Sequence, residues 1–248
     1  MIEWAEGGWY LPDGEEHLQQ WMTSVNKWRN GRLLYQAHKY ERALKCVDEM
    51  LAKQKPPGSP PGPPRGVAID VGAHVGLWSW PMALDFELVY AFEPVAEHRE
   101  CWLRNLCRAG MTHLLPYALG ETSGTVRLQK RTPGSSGDTG VDPVAERSSL
   151  RASVDMVGEE AELRTLDSFG LQHVSFIKLD CEGYEYHVLR GARETILRCR
   201  PVLIVEQKPE TGMEARYGLK PSHVFAYLGE LGMTKRASIQ GDHVFAFG

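Results

Sequence analysis

The chain has 248 residues, a formal charge of −4 and a pI near 6.2, so it is long enough for one main core plus a smaller appendage. Apolar residues make up 42% and charged residues 24%, the usual balance of a soluble globular protein, and the acidic excess argues against a surface that wraps nucleic acid. No apolar run is long enough to cross a bilayer, and the acidic, Trp-rich start does not read as a signal peptide, so the expectation is a cytosolic protein with no membrane partner.

Residues 1–55 are rich in aromatics, with Trp4, Trp9, Trp21 and Trp28 beside Tyr10, Tyr35 and Tyr40. Leu33, Ala37, Tyr40, Leu44, Val47 and Leu51 repeat at steps of three and four, which predicts an amphipathic helix in a helical N-terminal extension. Such a helix packs on the main body, and the extension as a whole suits a cap over a substrate. Residues 56–66 are dominated by proline and glycine and read as an extended linker. Residues 67–248 alternate short apolar runs with helical patterns, the signature of an α/β fold with a largely parallel sheet.

In that third zone, strands are predicted at Val67–Val71, Leu88–Phe92, His113–Leu115, Ser175–Leu179 and Val202–Val205. Helices are predicted at Gly76–Phe86, Ala96–Ala109, Tyr184–Leu197 and Ser222–Leu231, with a closing strand ending at Val244–Phe247. A hairpin-like section, Thr125–Gln129 with Ser153–Val157, brackets a loop rich in Gly, Ser and Pro. The five cysteines include no Cys-x-x-Cys pair and are odd in number, so neither a disulfide framework nor structural zinc is expected.

Asp70-Val71-Gly72-Ala73-His74-Val75-Gly76 joins a buried strand to a helix through a glycine turn. Glu93 closes the next strand about 20 residues on, the spacing at which an acid meets ribose hydroxyls. A dinucleotide site needs glycine at the centre of this loop so that pyrophosphate can approach, and here His74 stands there. A ligand with ribose and no phosphate fits better, and S-adenosylmethionine is such a ligand. Asp70 is expected to face its sulfonium or amino group, while Gly72, Ala73, His74, Gly76 and Glu93 form the pocket.

Asp70-Val71-Gly72-Ala73-His74-Val75-Gly76, Ala91-Phe92-Glu93-Pro94, Ala118-Leu119-Gly120, Leu166-Asp167-Ser168-Phe169, Ile177-Lys178-Leu179-Asp180-Cys181-Glu182-Gly183-Tyr184-Glu185 and Val188-Leu189-Arg190-Gly191-Ala192 stand in this order. Together they resemble the FkbM-family methyltransferases over roughly Val67 to Gln207. The resemblance implies a class I methyltransferase (Rossmann-like) fold, a seven-stranded, mostly parallel sheet whose last strand is antiparallel. It also implies O-methylation, often of sugar hydroxyls, and a place for Ala118 in the cofactor pocket. His74 departs from the family, which usually has Asn there. The first segment, with Trp9-Tyr10-Leu11-Pro12 and His17, is similar to the variant carried by bacteriophages, which would place the protein in a host cytoplasm.

At the far strand ends, Asp180, Glu182 and Glu206 are expected to converge. A sugar hydroxyl is a poor nucleophile at neutral pH, so methyl transfer to it needs a base, a metal, or both. Asp180 is the expected base or oxygen ligand. A divalent ion such as Mg held by Asp180 and Glu206, with Glu182 nearby, would relieve the repulsion among the acids. Lys178, inside its strand, is expected to point away from the site, and Glu185 to sit at a helix start that favours negative charge.

The acceptor is read as a small molecule or glycan. A nucleic-acid methyltransferase is the first alternative, but no lysine lies between Asp180 and Glu206, no Asn/Asp-Pro-Pro-aromatic loop follows the fourth strand, and no Pro-Cys pair occurs. A catalytically idle protein that keeps the fold and binds a partner is the second. Nothing in the sequence specifies an oligomeric state.

Overall fold

β-Branched and aromatic residues crowd the short apolar runs of the chain, while polar helical repeats separate them, so strands buried on both faces alternate with amphipathic helices. The computed structural model describes residues 2–4, 8–23, 27–53, 65–132, 134–142, 159–207 and 216–248. The N-terminal part holds β1 (Ile2–Trp4), β2 (Trp9–Leu11), α1 (His17–Thr23), β3 (Trp28–Arg29), β4 (Arg32–Leu33) and α2 (Ala37–Lys53). There follow β5 (Val67–Val71), α3 (Ser79–Asp85), β6 (Leu88–Phe92), α4 (Ala96–Leu106), β7 (Thr112–Leu115), β8 (Tyr117–Leu119), β9 (Gly124–Lys130), β10 (Thr139–Val141) and β11 (Glu159–Arg164). The remainder is β12 (Val174–Leu179), α5 (Glu185–Arg190), α6 (Arg193–Cys199), β13 (Val202–Glu206), α7 (Pro221–Glu230), β14 (Met233–Ile239) and β15 (Asp242–Phe247).

Seven strands form the central sheet in the order β14-β15-β13-β12-β5-β6-β7. β13, β12, β5, β6 and β7 run parallel, whereas β15 is antiparallel to both of its neighbours. This is the expected class I methyltransferase sheet with its reversed last strand. Alternation along the strands sends residues to opposite faces. Ile69, Val71, Ile177, Leu179, Leu203 and Val205 pack with Val188, Leu189, Ile196, Val224 and Leu228 of α5, α6 and α7. Ala68, Val89, Phe176, Val202 and Ile204 pack on the other face with Tyr40, Ala43, Cys46 and Val47 of α2 and Met82 of α3. The predicted amphipathic helix is therefore α2, laid on the sheet. No helix among the described residues is long and apolar enough to cross a membrane.

Three predicted elements differ. The helix Tyr184–Leu197 is broken into α5 and α6, because Asp167 takes over the helix N-terminus. Its carboxylate accepts the amides of Glu194 (2.9 Å) and Thr195 (2.8 Å), while its own amide donates to the Gly191 carbonyl (2.9 Å). β9 contains the predicted Thr125–Gln129, but Ser153–Val157 lies outside the described residues. β9 pairs instead with β11 and β10 in a second sheet of order β10-β9-β11-β8. β11 escaped the sequence reading because only Ala161 and Leu163 are apolar in Glu-Glu-Ala-Glu-Leu-Arg. The closing strand is half of a hairpin, β14 with β15.

Gly76 has φ 94°, and a Cβ there would lie 2.3 Å from Leu106 Cδ1 and 3.0 Å from Trp102 Cδ1 on α4. Its role is to let the turn after β5 close onto that helix. Gly76→Ala is expected to cost about 1–3 kcal/mol of stability through overpacking alone. A urea-unfolding midpoint unchanged from the parent protein would show that α4 yields instead.

Candidate active site

Parallel strands deliver their C-terminal ends to one edge of the sheet, and ligands in open α/β folds bind outside that edge. Here the edge borders a cavity of about 500 Å³. Its walls include Gly72–His74 after β5, Glu93–Val95 after β6, Ala118 and Leu119 of β8, Asp180–Glu182 after β12, and Glu206 of β13. Gly72 (φ 73°) packs so tightly on the loop after β12 that a Cβ would fall 1.9 Å from the Asp180 carbonyl oxygen. The two loops thus touch through backbone.

Glu93 is 4% exposed and held from three sides. The His74 amide donates to its Oε2 at 2.8 Å, the Val95 amide to Oε1 at 2.9 Å, and His98 Nδ1 lies 3.2 Å from Oε1. Burial opposes its charge, but His98 and the two amides outweigh it and hold the carboxyl below its ordinary range. Glu93 is therefore an ionised acceptor at the end of β6, where ribose hydroxyls were expected. His74, with φ 50°, places its ring edge-on to His98, centroids 4.3 Å apart. Burial, with His98 and Lys178 close by, pushes its imidazole well below the ordinary range, so the ring is neutral.

Two predicted cofactor residues do not reach the cavity. Gly76 belongs to the α4 packing described above. Asp70 is fully buried beneath the loop, because it points to the α3 face of β5. Ser79 Oγ donates to its Oδ2 at 2.6 Å, and Lys178 Nζ lies 3.6 Å from Oδ1. Burial raises the Asp70 carboxyl despite both partners.

Lys178, expected to point away, lines the cavity. It stands opposite Asp70 in the β12–β5 register, so both side chains leave the sheet on the same face. Its ammonium donates to the Gly72 carbonyl (3.1 Å) and lies 3.4 Å from Asp180 Oδ2. Burial works against the charge, but Asp180 and Asp70 overcome it and hold the group above the ordinary lysine range. A lysine within the buried strand Val-Ser-Phe-Ile-Lys-Leu was the available signal, since a cation so placed needs an anionic partner.

Asp180, Glu182 and Glu206 do converge, with one oxygen from each lying within 4.8 Å of the others. Glu182 (φ 57°) also meets Arg131, whose Nη1 lies 3.7 Å from Oε2 and 3.3 Å from Asp138 Oδ1. Glu185 is no simple helix-start charge. It is fully buried, and its Oε1 accepts the amides of Cys181 (2.8 Å) and Gly183 (3.2 Å), which pins the loop carrying Asp180 and Glu182. Burial pushes the Cys181 thiol well above its ordinary range.

The N-terminal segment supplies His17, Leu18, Tyr35 and Gln36 to the cavity wall. Trp21 donates its indole N–H to His17 Nε2 (2.8 Å) and meets Tyr35 edge-on at 6.3 Å. The extension thus has two parts, α2 on the sheet and the residues before it at the cavity.

The depressed pKa of Glu93 gives a signed expectation. Its folded value lies below the unfolded one, so its stabilisation is present above the unfolded value and fades as pH falls through the folded value. Glu93→Gln should lower the urea midpoint at about pH 7 and progressively less toward about pH 3. An equal loss at both ends would contradict the assigned charge state.

No curated protein matches the chain. Among solved structures it is similar to methyltransferase FkbM from Methylobacillus flagellatus KT, at 19% identity over 73% of this chain and 43% of that one, with a TM-score of 0.45. The chain therefore spans less than half the length of that protein. It is also similar to magnesium protoporphyrin IX methyltransferase from Synechocystis PCC 6803 (13% identity, 94% and 88% covered, TM-score 0.43). A third likeness is to N-methyltransferase NodS from Bradyrhizobium japonicum WM9 (9% identity, 85% and 95% covered, TM-score 0.41). The model of the Methyltransferase FkbM domain matches residues 70–233, well over half of the chain. With the sheet order and the ordered strand-end loops, this assigns the chain to the FkbM methyltransferase family.

Proposed function

We propose that this chain methylates a hydroxyl of a sugar or other small molecule, using S-adenosylmethionine as donor. The observation that carries the reading is one continuous cavity that joins the Glu93 end to the Asp180–Glu206 end. A volume of about 500 Å³ has room for a nucleoside and a small acceptor, and the chain's net charge of −4 disfavours a nucleic-acid strand.

The residues fit the donor. The carboxylate of Glu93 accepts hydroxyl hydrogens, and Gly72–His74 with Ala118 supply a close-packed wall. The donor brings a methyl group already activated by a positive sulfur. The protein's remaining tasks are alignment of the acceptor oxygen and removal of its proton. Asp180 takes that proton. Lys178, 3.4 Å from Asp180 Oδ2, ties it to the Gly72 carbonyl, which fixes the distance between the two loops. His17, Tyr35 and Gln36 border the same cavity from the N-terminal segment.

A divalent cation such as Mg is part of the same proposal, held by Asp180 and Glu206 with Glu182 beside them. The mutual spacing of their oxygens within 4.8 Å supports it. Such an ion would polarise the acceptor oxygen.

Calorimetry with S-adenosylhomocysteine, followed by methyl transfer to a panel of free and glycosidic sugars, tests the donor and the acceptor class separately. Asp180→Asn is expected to lower kcat by about a hundredfold or more while S-adenosylhomocysteine affinity stays within about threefold. Activity that survives both Asp180→Ala and Glu206→Ala would remove the site assignment. Chelation with EDTA should abolish turnover and added Mg should restore it; turnover indifferent to chelation discards the ion and leaves Asp180 as base.

A further inference from the structure

The β9–β10 loop and the N-terminal segment meet beside His74. The amides of Glu16 and His17 donate to the Gly134 carbonyl at 3.0 and 3.3 Å. Glu15 is 1% exposed. Its Oε1 accepts the Leu18 amide at 2.8 Å, and its Oε2 accepts both the amide and the hydroxyl of Ser136. The same Ser136 Oγ lies 2.7 Å from His74 Nε2, on a ring that lines the cavity. Glu15 lies outside residues 70–233, so this contact reaches the family domain from the added N-terminal segment.

The direction of each bond follows from counting hydrogens. A hydroxyl has one, and Ser136 gives it to Glu15, which as a carboxylate only accepts. Toward His74 the oxygen is then an acceptor, so Nε2 carries the proton. A neutral imidazole has a single N–H, which leaves Nδ1 with its lone pair. We infer that Glu15, acting through Ser136, is a positioning residue that holds His74 as the neutral Nε2–H tautomer and thereby makes the ring a hydrogen-bond acceptor for the cavity ligand. This rests on the proposed cofactor, whose ribose hydroxyls and α-ammonium are all donors.

Two measurements test it. Nitrogen-15 NMR of the histidine side chains of the full chain, with His74→Asn identifying the resonance, reads the tautomer at neutral pH. Protonated Nε2 with bare Nδ1 is expected; an Nδ1–H ring or an imidazolium overturns the inference. Isothermal titration with S-adenosylhomocysteine then reads the coupling. Ser136→Ala keeps the Glu15–Leu18 bond and should weaken binding about fivefold, the order one neutral hydrogen bond carries. Glu15→Ala should weaken binding by a similar factor in the parent protein and add nothing in the Ser136→Ala background. Equal, independent losses in both backgrounds would refute the relay. If the parent protein binds no S-adenosylhomocysteine, the cofactor reading fails while the tautomer result still decides the role of Glu15.

Discussion

The buried ammonium of Lys178 is the interaction on which the rest of the site depends. It sits between Asp70 and Asp180 and donates to the Gly72 carbonyl, so one charge joins the loop after β5 to the loop after β12. Burying an ion pair adds little net stability, because desolvation offsets the attraction. Breaking it by removing one partner is costly, however, since a charge is left alone in a poor solvent. The arrangement therefore fixes position more than it strengthens the fold. Ser79, at the start of α3, extends it by bonding both Asp70 and the Trp102 indole of α4, so the helices on that side are registered against the same pair.

Around this centre each loop is pinned by a buried carboxylate that accepts backbone amides. Glu93 holds His74 and Val95, Glu185 holds Cys181 and Gly183, and Glu15 holds Leu18 and Ser136. A carboxylate suits this task because it offers several lone pairs and no hydrogen, so it can take donors from two segments at once. Loops built in this way are rigid before a ligand arrives. Preorganisation of that kind lowers the cost of ordering on binding and keeps reacting groups at a set separation.

The site is also divided by charge. At one end Glu93 is ionised beside a neutral His74, while at the other Asp180, Glu182 and Glu206 face Lys178 and Arg131. The excess of carboxylates over basic groups suits a positively charged methyl donor. The N-terminal segment completes the enclosure through His17, Tyr35 and Gln36.

The amino-acid order by itself determined the central parallel strands, because a buried parallel strand is a local event. Val67–Val71 and Leu88–Phe92 read as apolar runs bounded by turn residues and were found at those bounds. The same applies to the strand-end acids, since Glu93, Asp180 and Glu206 each directly end or follow a strand and Glu182 stands two residues beyond Asp180. What only the tertiary structure decided are the contacts between segments far apart in the chain. Asp70 was expected to face a ligand and Lys178 to point away, until the β12–β5 register set them side by side and the Ser79 hydroxyl held Asp70 beneath the loop. Asp167 broke a helix that periodicity carried through, because its carboxylate reaches amides 27 and 28 residues away. Glu15 and Ser136 carry no local signal at all, being separated by 121 residues. Periodicity records which face of an element is buried, whereas a hydrogen bond depends on which two elements the packing of the whole brings together.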